Sequence, residues 1–338
     1  MSVKVLHPGL MTTIQDLGRF GSQKFGVIVS GAMDPLSLRI ANLLVGNGEG
    51  EGALEVTLLG PTLEFDRDGL IAITGGYLQP MIDGEAVPMW RPILIRKGSI
   101  LQFKSAIKGC RAYVAFAGGI DVPASMGSKS TYLRAAIGGY LGRALQNGDV
   151  FDCVGNYSTV SQSLIQQLEK RPSSFTWSVN YPEFINLNRT QTIRVIQGAE
   201  FKRFDAASQE AFFSKPYTLT TQADRMGYRL EGETIRLSEK FELLSEGVTY
   251  GTIQVPSNGQ PIILMADRQT TGGYPKIGQV ISADLPSLAQ LQPNSMILFE
   301  EVSLEQAEIE LLKQEQQLRK VATGIRIKAL FEREDKGR

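Results

Sequence analysis

Histidine and cysteine are scarce in this sequence of 338 residues, which excludes several kinds of active site. His7 is the single histidine, so one chain cannot build a metal site from several histidines, and a Ser–His–Asp triad would depend on that one residue. Cys110 and Cys153 have no CxxC spacing, which argues against a zinc site or a disulfide framework and favours a reducing cytoplasm. We therefore expect no metal ion, and acid–base chemistry falls to Asp, Glu, Lys, Tyr or bound water.

The sequence also lacks a net charge and any long apolar run. Lys+Arg and Asp+Glu both number 35, without a basic cluster, which argues against nucleic-acid binding because that binding depends on neutralising phosphates. No apolar run approaches the roughly 20 residues of a membrane span, and the first four residues do not resemble a signal peptide. A hydrophobic content of 42% is that of a globular protein. These features predict a cytoplasmic protein that binds neither nucleic acid nor membrane.

Many short apolar runs separated by turn residues predict a mainly β protein with a few short helices. Strands at such close spacing favour a barrel or a sandwich over a βαβ sheet. Asp34 followed by Pro35 is typical of a helix start, and Ser303 with Gln306 fits a capping box. The predicted strands are residues 3–6, 53–59, 70–73, 93–95, 100–103, 111–116, 192–196, 248–255, 261–266 and 296–302, and the predicted helices are residues 36–44, 164–170, 205–213 and 304–318.

Two pairs of similar stretches indicate an internal duplication of a β-unit. The first pair is Thr12-Thr13 with Asp16, Gly18 and Arg19 against Thr220-Thr221 with Asp224, Gly227 and Arg229. The second pair is Thr74-Gly75-Gly76-Tyr77 against Thr271-Gly272-Gly273-Tyr274. We predict an N-terminal barrel over residues 1–155, a linker with a short helix over 156–190, a C-terminal barrel over 191–302, and a helix and tail over 303–338.

The stretch 245–285 is denser in polar groups between apolar runs than any other part of the chain. After the predicted strand 261–266 come Asp267, Arg268, Gln269, Thr270 and Thr271, and then Gly272-Gly273-Tyr274. Such groups at the end of a buried strand are unfavourable unless they have partners. They predict either the floor of a pocket for a small anion or amide, or a tight turn that satisfies itself. The two glycines would let backbone N–H groups approach a ligand or would take a positive φ.

Three further groups in the first half are candidates, each with a simpler interpretation. Asp16 and Arg19 either pair locally or bind a zwitterion or carboxylate. Asp34 is an N-cap first, although a helix start can also bind an anion. The loop Gly127-Ser128-Lys129-Ser130-Thr131 resembles a phosphate loop only superficially, because Ser128 separates the glycine from the lysine. It remains a hydroxyl-rich loop that could cover a pocket.

Several motifs occur in order along the chain and identify a family. They are Pro8-Gly9-Leu10 with Thr13-Ile14-Gln15-Asp16-Leu17-Gly18-Arg19, Ser30-Gly31-Ala32-Met33-Asp34, Gly127-Ser128-Lys129-Ser130-Thr131, and Gly251-Thr252-Ile253-Gln254-Val255-Pro256 with Asp267-Arg268-Gln269-Thr270-Thr271-Gly272-Gly273-Tyr274-Pro275. Over about residues 3–300 the chain strongly resembles the family of the second allophanate hydrolase subunit. That family includes the C subunit of 5-oxoprolinase, also called the Kip inhibitor antagonist, and the biotin-dependent carboxyltransferase half of urea carboxylase.

The resemblance implies a fold of two cyclophilin-like β-barrels. It also implies a heteromer with two partners, a smaller sister protein of the Kip inhibitor type (the B subunit of 5-oxoprolinase) and a LamB/YcsF-type protein (its A subunit). That complex would open 5-oxo-L-proline to L-glutamate with ATP, held by the complex at a site that this sequence does not identify. The chain has no Met-Lys-Met site for covalent biotin.

Roles for the candidate residues follow from this implied reaction. Arg268 or Arg19 would pair with the substrate carboxylate in a bidentate manner, and Asp267 would activate water or orient Arg268. The catalytic candidates are Asp267, Arg268 and Thr271, and the substrate-binding candidates are Gln254, Thr270, Gly272, Gly273, Tyr274, Asp16, Arg19, Asp34, Ser128 and Thr131. Gln254, Thr270 and Thr271 would hold the amide edge of the substrate. The N–H groups of Gly272 and Gly273 would face the developing oxyanion.

Two other functions remain open at this stage. The chain could transfer a carboxyl group from a separate biotin carrier to an amide. It could also be a non-catalytic antagonist that binds an inhibitor of a histidine kinase and so acts in the regulation of sporulation. Binding to the sister subunit is expected in both the enzymatic and the regulatory case.

Overall fold

The computed structural model describes residues 1–170, 174–239 and 243–331, without the side chain of residue 331, and within them the fold is mainly β. The prediction of a mainly β protein with a few helices is confirmed. The chain divides into two compact units, each assembled from separate stretches of sequence. Unit 1 comprises Met1–Arg19, Asp34–Ile185 and Glu315–Arg338, and unit 2 comprises Phe20–Met33 and Asn186–Gln314. The domain bounds predicted from the sequence follow chain order, and they stay a prediction.

Unit 1 contains two antiparallel sheets around one core. The first sheet has the order β11-β1-β4-β9-β6-β7 and the second has the order β2-β3-β10-β5-β8. Strand bounds are β1 Ser2–His7, β2 Met11–Gln15, β3 Ala53–Thr57, β4 Thr62–Phe65, β5 Gly69–Tyr77, β6 Met81–Ile82, β7 Glu85–Ala86, β8 Pro92–Ile95, β9 Ile100–Gln102, β10 Lys108–Phe116 and β11 Val150–Asp152. Helices α1 (Pro35–Leu44) and α2 (Thr159–Leu168) also belong to this unit.

The second sheet of unit 1 is buried on both faces. On one face Leu54 lies opposite Ile14 and Val114, and these side chains enter the hydrophobic core. On the other face the neighbouring row carries polar groups, including Glu55 and Tyr113, which are almost fully buried. The Tyr113 hydroxyl donates to Glu55 over 2.7 Å, so these two buried polar side chains are partners of each other.

Unit 2 contains a closed barrel of seven strands in the order β12-β19-β16-β17-β14-β13-β20, which returns to β12. Among the described strands of this barrel, only the β12–β20 pair is parallel. The bounds are β12 Thr190–Gln197, β13 Tyr217–Leu219, β14 Gly227–Glu231, β15 Glu246–Gly247, β16 Thr252–Gln254, β17 Ile262–Leu264, β18 Thr271–Gly272, β19 Lys276–Val280 and β20 Met296–Glu301, with α3 Ala206–Ser214 and α4 Leu285–Ala289. The short β15 and β18 pair outside the barrel.

Helix starts follow the predicted caps, whereas some lengths differ. The Asp34 side chain accepts from Ser37 N over 2.9 Å and begins α1. The capping box is present, because Ser303 and Gln306 bond each other's backbone N–H. However, α5 (Leu304–Phe331) continues well beyond the predicted end at residue 318, and Ile325 is buried. In the part of the chain that the structure describes, no helix is both long and apolar enough to cross a membrane.

The predicted strand 248–255 is the main correction to the secondary structure. The structure has only Thr252–Gln254 as a strand there. Gly251 has a φ of +86°, which interrupts the extended backbone before Thr252. Alternation along a strand 248–255 would place Tyr250 on the same face as Thr252 and Gln254, and this expectation is wrong because Tyr250 lies outside the strand.

Candidate functional site

A buried ion pair in unit 2 organises the polar stretch after β17. Arg225 donates from Nε to Asp267 Oδ2 and from Nη2 to Asp267 Oδ1, both over 2.9 Å. The backbone N–H of Asp267 also donates to the Arg225 carbonyl over 2.7 Å. Both side chains are almost excluded from solvent, with exposed fractions of 5% and 7%. Two hydrogen bonds from one guanidinium group thus hold the Asp267 carboxylate in a fixed geometry.

The segment that precedes α1 joins this ion pair within unit 2. The Ser30 hydroxyl donates to Asp267 Oδ1 over 2.7 Å, and Arg225 Nη2 donates to the Gly31 carbonyl over 2.6 Å. Ser30 and Gly31 have φ values of +58° and +92°. A positive φ is unfavourable for serine, so the surrounding hydrogen bonds hold a strained turn in place.

Arg268 follows Asp267 in the chain but has a different environment. Its guanidinium carbon lies 5.9 Å from the centre of the Tyr250 ring, and Nη1 reaches the Met265 carbonyl over 3.4 Å. Its Nε is buried and has no hydrogen-bond partner among the described residues. Burial lowers the pKa of Arg268, and the nearby Tyr250 and Asp267 only partly offset this effect. A half-buried cation in this state would be stabilised by an anion.

Tyr250 connects Arg268 to the segment before α1. The Tyr250 hydroxyl donates to the Met33 carbonyl over 2.5 Å, and both residues belong to unit 2. Gln279 Nε2 donates to the Tyr250 carbonyl over 2.8 Å, and Gln279 Oε1 accepts from Thr252. The aromatic ring beside Arg268 is therefore fixed at its backbone and at its hydroxyl.

A second group of candidates meets around the side-chain amide of Gln254. Gln254 Nε2 donates to the Tyr274 carbonyl over 3.2 Å, and the amide lies directly against the backbone of Gly272. Neither Gly272 nor Gly273 has a positive φ, so close approach is the reason that a glycine is needed at residue 272. Tyr274 is about half exposed.

The threonines of this stretch play a lesser structural part. The Thr270 carbonyl accepts from Val248 N over 3.1 Å, and Thr271 pairs with Gly247 in the small sheet outside the barrel. Thr271 is exposed to solvent and Thr270 is half-buried. Their hydroxyls are thus accessible to a ligand at this surface.

The candidates of the first half form a separate cluster in unit 1 around Asp16. Its carboxylate accepts from the Ser128 hydroxyl over 2.7 Å, from the Ser130 hydroxyl over 2.5 Å and from Lys129 N over 2.6 Å. Asp16 is only 7% exposed. The aspartate supplies the negative charge that the donors of the Ser128–Ser130 loop require.

This arrangement does not fit a phosphate loop. The donors that would hold a phosphate already bind Asp16, and Lys129 Nζ bonds Glu51 over 2.5 Å and the Ile120 carbonyl over 2.9 Å. Nucleotide binding would require all of these contacts to be replaced. The loop residues therefore do not fit ATP.

The remaining unit 1 candidates bond mainly to the backbone. Arg19 Nη2 donates to the Ser130 carbonyl, and the Thr131 hydroxyl donates to the Ile14 carbonyl over 2.9 Å. Asp34 is fully buried and also accepts from the Ser37 hydroxyl over 2.6 Å, which is the geometry of an N-cap.

The structure thus groups the predicted residues by unit. Asp267 and Arg268 lie together in unit 2, Gln254, Gly272 and Tyr274 meet at another point of the same unit, and the Asp16 cluster belongs to unit 1. Sequence reasoning missed Arg225 and Ser30 as partners of Asp267. Both lie in motifs that the sequence singles out, but only long-range contacts show what they bind.

Comparison with known proteins defines the class of this chain. The family model described as "Carboxyltransferase domain, subdomain A and B" matches residues 25–301, and the chain belongs to this family. The chain is 43% identical to the C subunit of 5-oxoprolinase from Escherichia coli, over 90% of this chain and 93% of that protein. It is 41% identical to the C subunit of 5-oxoprolinase from Haemophilus influenzae, again over 90% of this chain and 93% of that protein.

A solved structure extends the likeness to a larger enzyme. The crystal structure of the K. lactis urea amidolyase matches with a TM-score of 0.85 and 29% identity, over 95% of this chain. The match covers only 20% of the urea amidolyase chain, so this chain spans one part of that protein. Two differently named groups of proteins therefore share this fold.

Proposed function

We propose that this chain is the C-type subunit of a heteromeric, ATP-dependent 5-oxoprolinase that opens 5-oxo-L-proline to L-glutamate. The two relatives that bear this subunit name align with nearly their full length. The proposed partners are the smaller sister subunit of the Kip inhibitor type and the LamB/YcsF-type subunit. The complex would hold ATP at a site that this chain does not identify, and the hydroxyl-rich loop around Ser128 and Lys129 does not offer one, because its donors bind Asp16.

The observation that carries the proposal is the incompletely satisfied guanidinium of Arg268. 5-Oxoproline is a small anion with one carboxylate beside a cyclic amide. Arg268 is half-buried, its Nε has no partner within the described residues, and burial lowers its pKa. A bidentate carboxylate would satisfy the guanidinium and compensate its charge. Arg225 cannot take this role, because its fork already binds Asp267.

The other candidate groups of unit 2, which meet at a second point of that unit, are proposed to supply the remaining parts of the site. The lactam carbonyl is a poor electrophile, and phosphorylation of its oxygen by ATP would activate it towards water. The amide of Gln254 would bind the edge of the ring amide, while the exposed Thr271 and the backbone at Gly272 would face the developing negative charge. Asp267 acts by orienting Arg268 rather than by activating water, because both of its oxygens accept hydrogen bonds from Arg225.

The test is 5-oxoproline-dependent ATP hydrolysis by this chain alone, with each partner, and with both. We expect activity only in the full mixture, and Arg268→Gln should raise KM for 5-oxoproline about 10- to 100-fold, the range for a lost charge-assisted hydrogen bond. Arg229→Gln, at an exposed position of β14, is the control and should leave KM unchanged. Full activity of the Arg268→Gln complex would disprove the carboxylate-binding role.

A second candidate is carboxyl transfer to an amide with a separate biotin carrier, and the family match and the likeness to urea amidolyase favour it. Its test is copurification of an avidin-detectable protein with this chain, followed by transfer of labelled carboxylate to an amide acceptor. Transfer without 5-oxoproline-dependent ATP hydrolysis would select this function. Tight binding to the sister subunit with neither activity would leave a regulatory role.

A further inference from the structure

Three segments of unit 2 that are distant in sequence meet at the guanidinium of Arg225. We propose that Arg225 is a positioning residue that holds Arg268 and its aromatic neighbour Tyr250 in the geometry that binds the substrate carboxylate. This inference rests on the proposed function for the identity of the ligand. Arg225 itself does not touch the substrate, because its Nε and Nη2 bind Asp267 and Gly31 and its side chain is only 5% exposed.

The first step is the fixed geometry of the Arg225 fork. Nε and Nη2 bind the two oxygens of Asp267, and Nη2 also binds the Gly31 carbonyl. A lysine ammonium has no planar fork and cannot reproduce these parallel bonds. The backbone continues the connection, since Met265 N donates to the Met226 carbonyl over 3.0 Å. The chain around residue 225 thus fixes the start of the Asp267–Arg268 turn.

The second step connects Arg225 to Arg268 by two routes. Asp267 directly precedes Arg268, whose N–H closes a turn onto the Met265 carbonyl over 3.2 Å. On the other side, Arg225 holds Gly31, two residues before Met33, whose carbonyl accepts the Tyr250 hydroxyl. Tyr250 then lies beside the Arg268 guanidinium. Loss of Arg225 would release the backbone of Arg268 and the anchor of Tyr250 together.

Stability alone is a weak explanation for this pair. Replacing a buried ion pair by apolar groups is often neutral or stabilising, so such a pair is not required for folding as such. The Arg225–Asp267 pair also binds Gly31 and Ser30, and Ser30 has a strained φ of +58°, a feature that is characteristic of functional sites. The arrangement is better explained as a device that keeps one cation, Arg268, ready for a ligand.

The experiment is a double-mutant cycle in the assembled complex, with KM for 5-oxoproline as the readout. Arg225→Gln should raise KM about tenfold, the factor for about 1.4 kcal/mol. Arg225→Lys should do the same because it lacks the fork. In an Arg268→Gln background, Arg225→Gln should change KM by less than about twofold, because residues that act through one another are not additive.

Arg194 provides a control in the same unit that has the same kind of pair but is less buried, with 30% of its side chain exposed. It also forms a bidentate pair, with Asp284 at 2.6 Å from Nη2 and 3.1 Å from Nε. Arg194→Gln removes that pair together with the bond from Nη1 to Glu310, and it should leave KM unchanged. If Arg194→Gln raises KM as much as Arg225→Gln, or if the effects of Arg225→Gln and Arg268→Gln are additive, the positioning role is overturned. If the Arg268→Gln complex is active and its KM is unchanged, the proposed carboxylate site is overturned as well.

Hydrogen exchange of the full chain by itself gives a readout that does not depend on turnover. Arg225→Gln should speed backbone exchange in residues 30–33 and 267–268, whereas Arg194→Gln should leave these segments protected. Unchanged protection in Arg225→Gln would overturn the positioning role even if the assembled complex has a different activity. Faster exchange in both variants would show a general loss of stability and would also overturn it.

Discussion

The side-chain amide of Gln254 and the backbone of Gly272 lie in direct contact, so that a Cβ at residue 272 would stand 2.5 Å from Gln254 Nε2. Gln254 is only 4% exposed and its Nε2 donates to the Tyr274 carbonyl, so the side-chain amide has little room to move away. At Gly273, by contrast, a Cβ would have its nearest neighbour at 3.4 Å, the Ser245 hydroxyl oxygen. Two adjacent glycines thus have different requirements.

We predict that Gly272→Ala impairs the site and that Gly273→Ala does not. The added methyl at residue 272 must displace the Gln254 amide, and a misplaced binding group raises KM, here by about tenfold. KM for 5-oxoproline in the assembled complex is the measurement, with Gly273→Ala expected within about twofold of wild type. Equal effects of the two substitutions would contradict this explanation of Gly272.

Asp267→Asn should destabilise the protein by about 3 kcal/mol, the range for removing one partner of a buried ion pair. The substitution leaves the Arg225 guanidinium buried without its counter-charge. The free energy of unfolding by urea is the measurement. Glu246→Gln is the control, because its pair with Lys276 has a half-exposed carboxylate and should contribute less than about 1 kcal/mol. Similar losses of unfolding free energy in both variants would show that burial does not increase the contribution of the Asp267 pair to stability.

Acid should weaken unit 1 partly through Asp149. A hydrogen bond from Arg143 lowers the pKa of Asp149 below its ordinary value, and bonds to the backbone add to this effect. A carboxylate with a lowered folded-state pKa stabilises the protein above its unfolded-state pKa, near 4, and this contribution is lost as the pH falls through the lower folded-state pKa. Unfolding free energies at pH 6 and pH 3 should therefore differ less in Asp149→Asn than in wild type.

The control for this titration is Asp121→Asn, since Asp121 is exposed and forms no ion pair within the described residues. It measures how far an aspartate-to-asparagine change at an exposed position alters the pH dependence by itself. An unchanged pH dependence in Asp149→Asn would mean that its bond to Arg143 does not form in solution.

Both thiols should be unreactive in the folded protein. Cys110 and Cys153 are buried and unpaired with each other. Burial raises the pKa of Cys110, and it raises the pKa of Cys153 to about 12, so little thiolate is present at pH 8. A thiol reagent at pH 8 should label neither residue until denaturant is added, and then both. Rapid labelling of the native chain would indicate local opening around these residues.

Local patterns in the sequence predict the parts of the fold that depend on neighbouring residues. The cap at Asp34 and the capping box at Ser303 are predicted directly, because each involves residues three positions apart. The length of β16 is not predicted, because the sequence does not show that the glycine before this strand has a positive φ. Alternation of side chains looks the same on either side of such an interruption.

The candidate site shows the same limit. Composition alone identifies the polar stretch after β17, but it does not identify the partners of Asp267. Arg225 is 42 residues away in sequence and Ser30 is 237 residues away. No spacing rule connects residues so far apart, and only the closed barrel brings them together. The roles of the candidate residues stay predictions until the variants are measured.

The two Thr-Gly-Gly-Tyr stretches have similar sequences, but their first glycines are needed for different physical reasons. Gly75 in β5 has a φ of +84° and lies against the backbone of Arg111, where the register of β5 and β10 shifts. Gly272, at the matching place of the second Thr-Gly-Gly-Tyr stretch, has no positive φ and is required by a side-chain amide. The two similar stretches therefore do not share one backbone conformation at their first glycine.

The assembly of unit 2 from Phe20–Met33 and Asn186–Gln314 has a consequence for synthesis of the protein. On the ribosome, Gly31 emerges 194 residues before Arg225, and Ser30 emerges 237 residues before Asp267. The early segment cannot make these contacts until residues 225 and 267 have been synthesised, and contacts of such long range form slowly. A fragment that contains the barrel strands alone would lack this segment, and with it the contacts of Ser30 and Gly31 to Asp267 and Arg225.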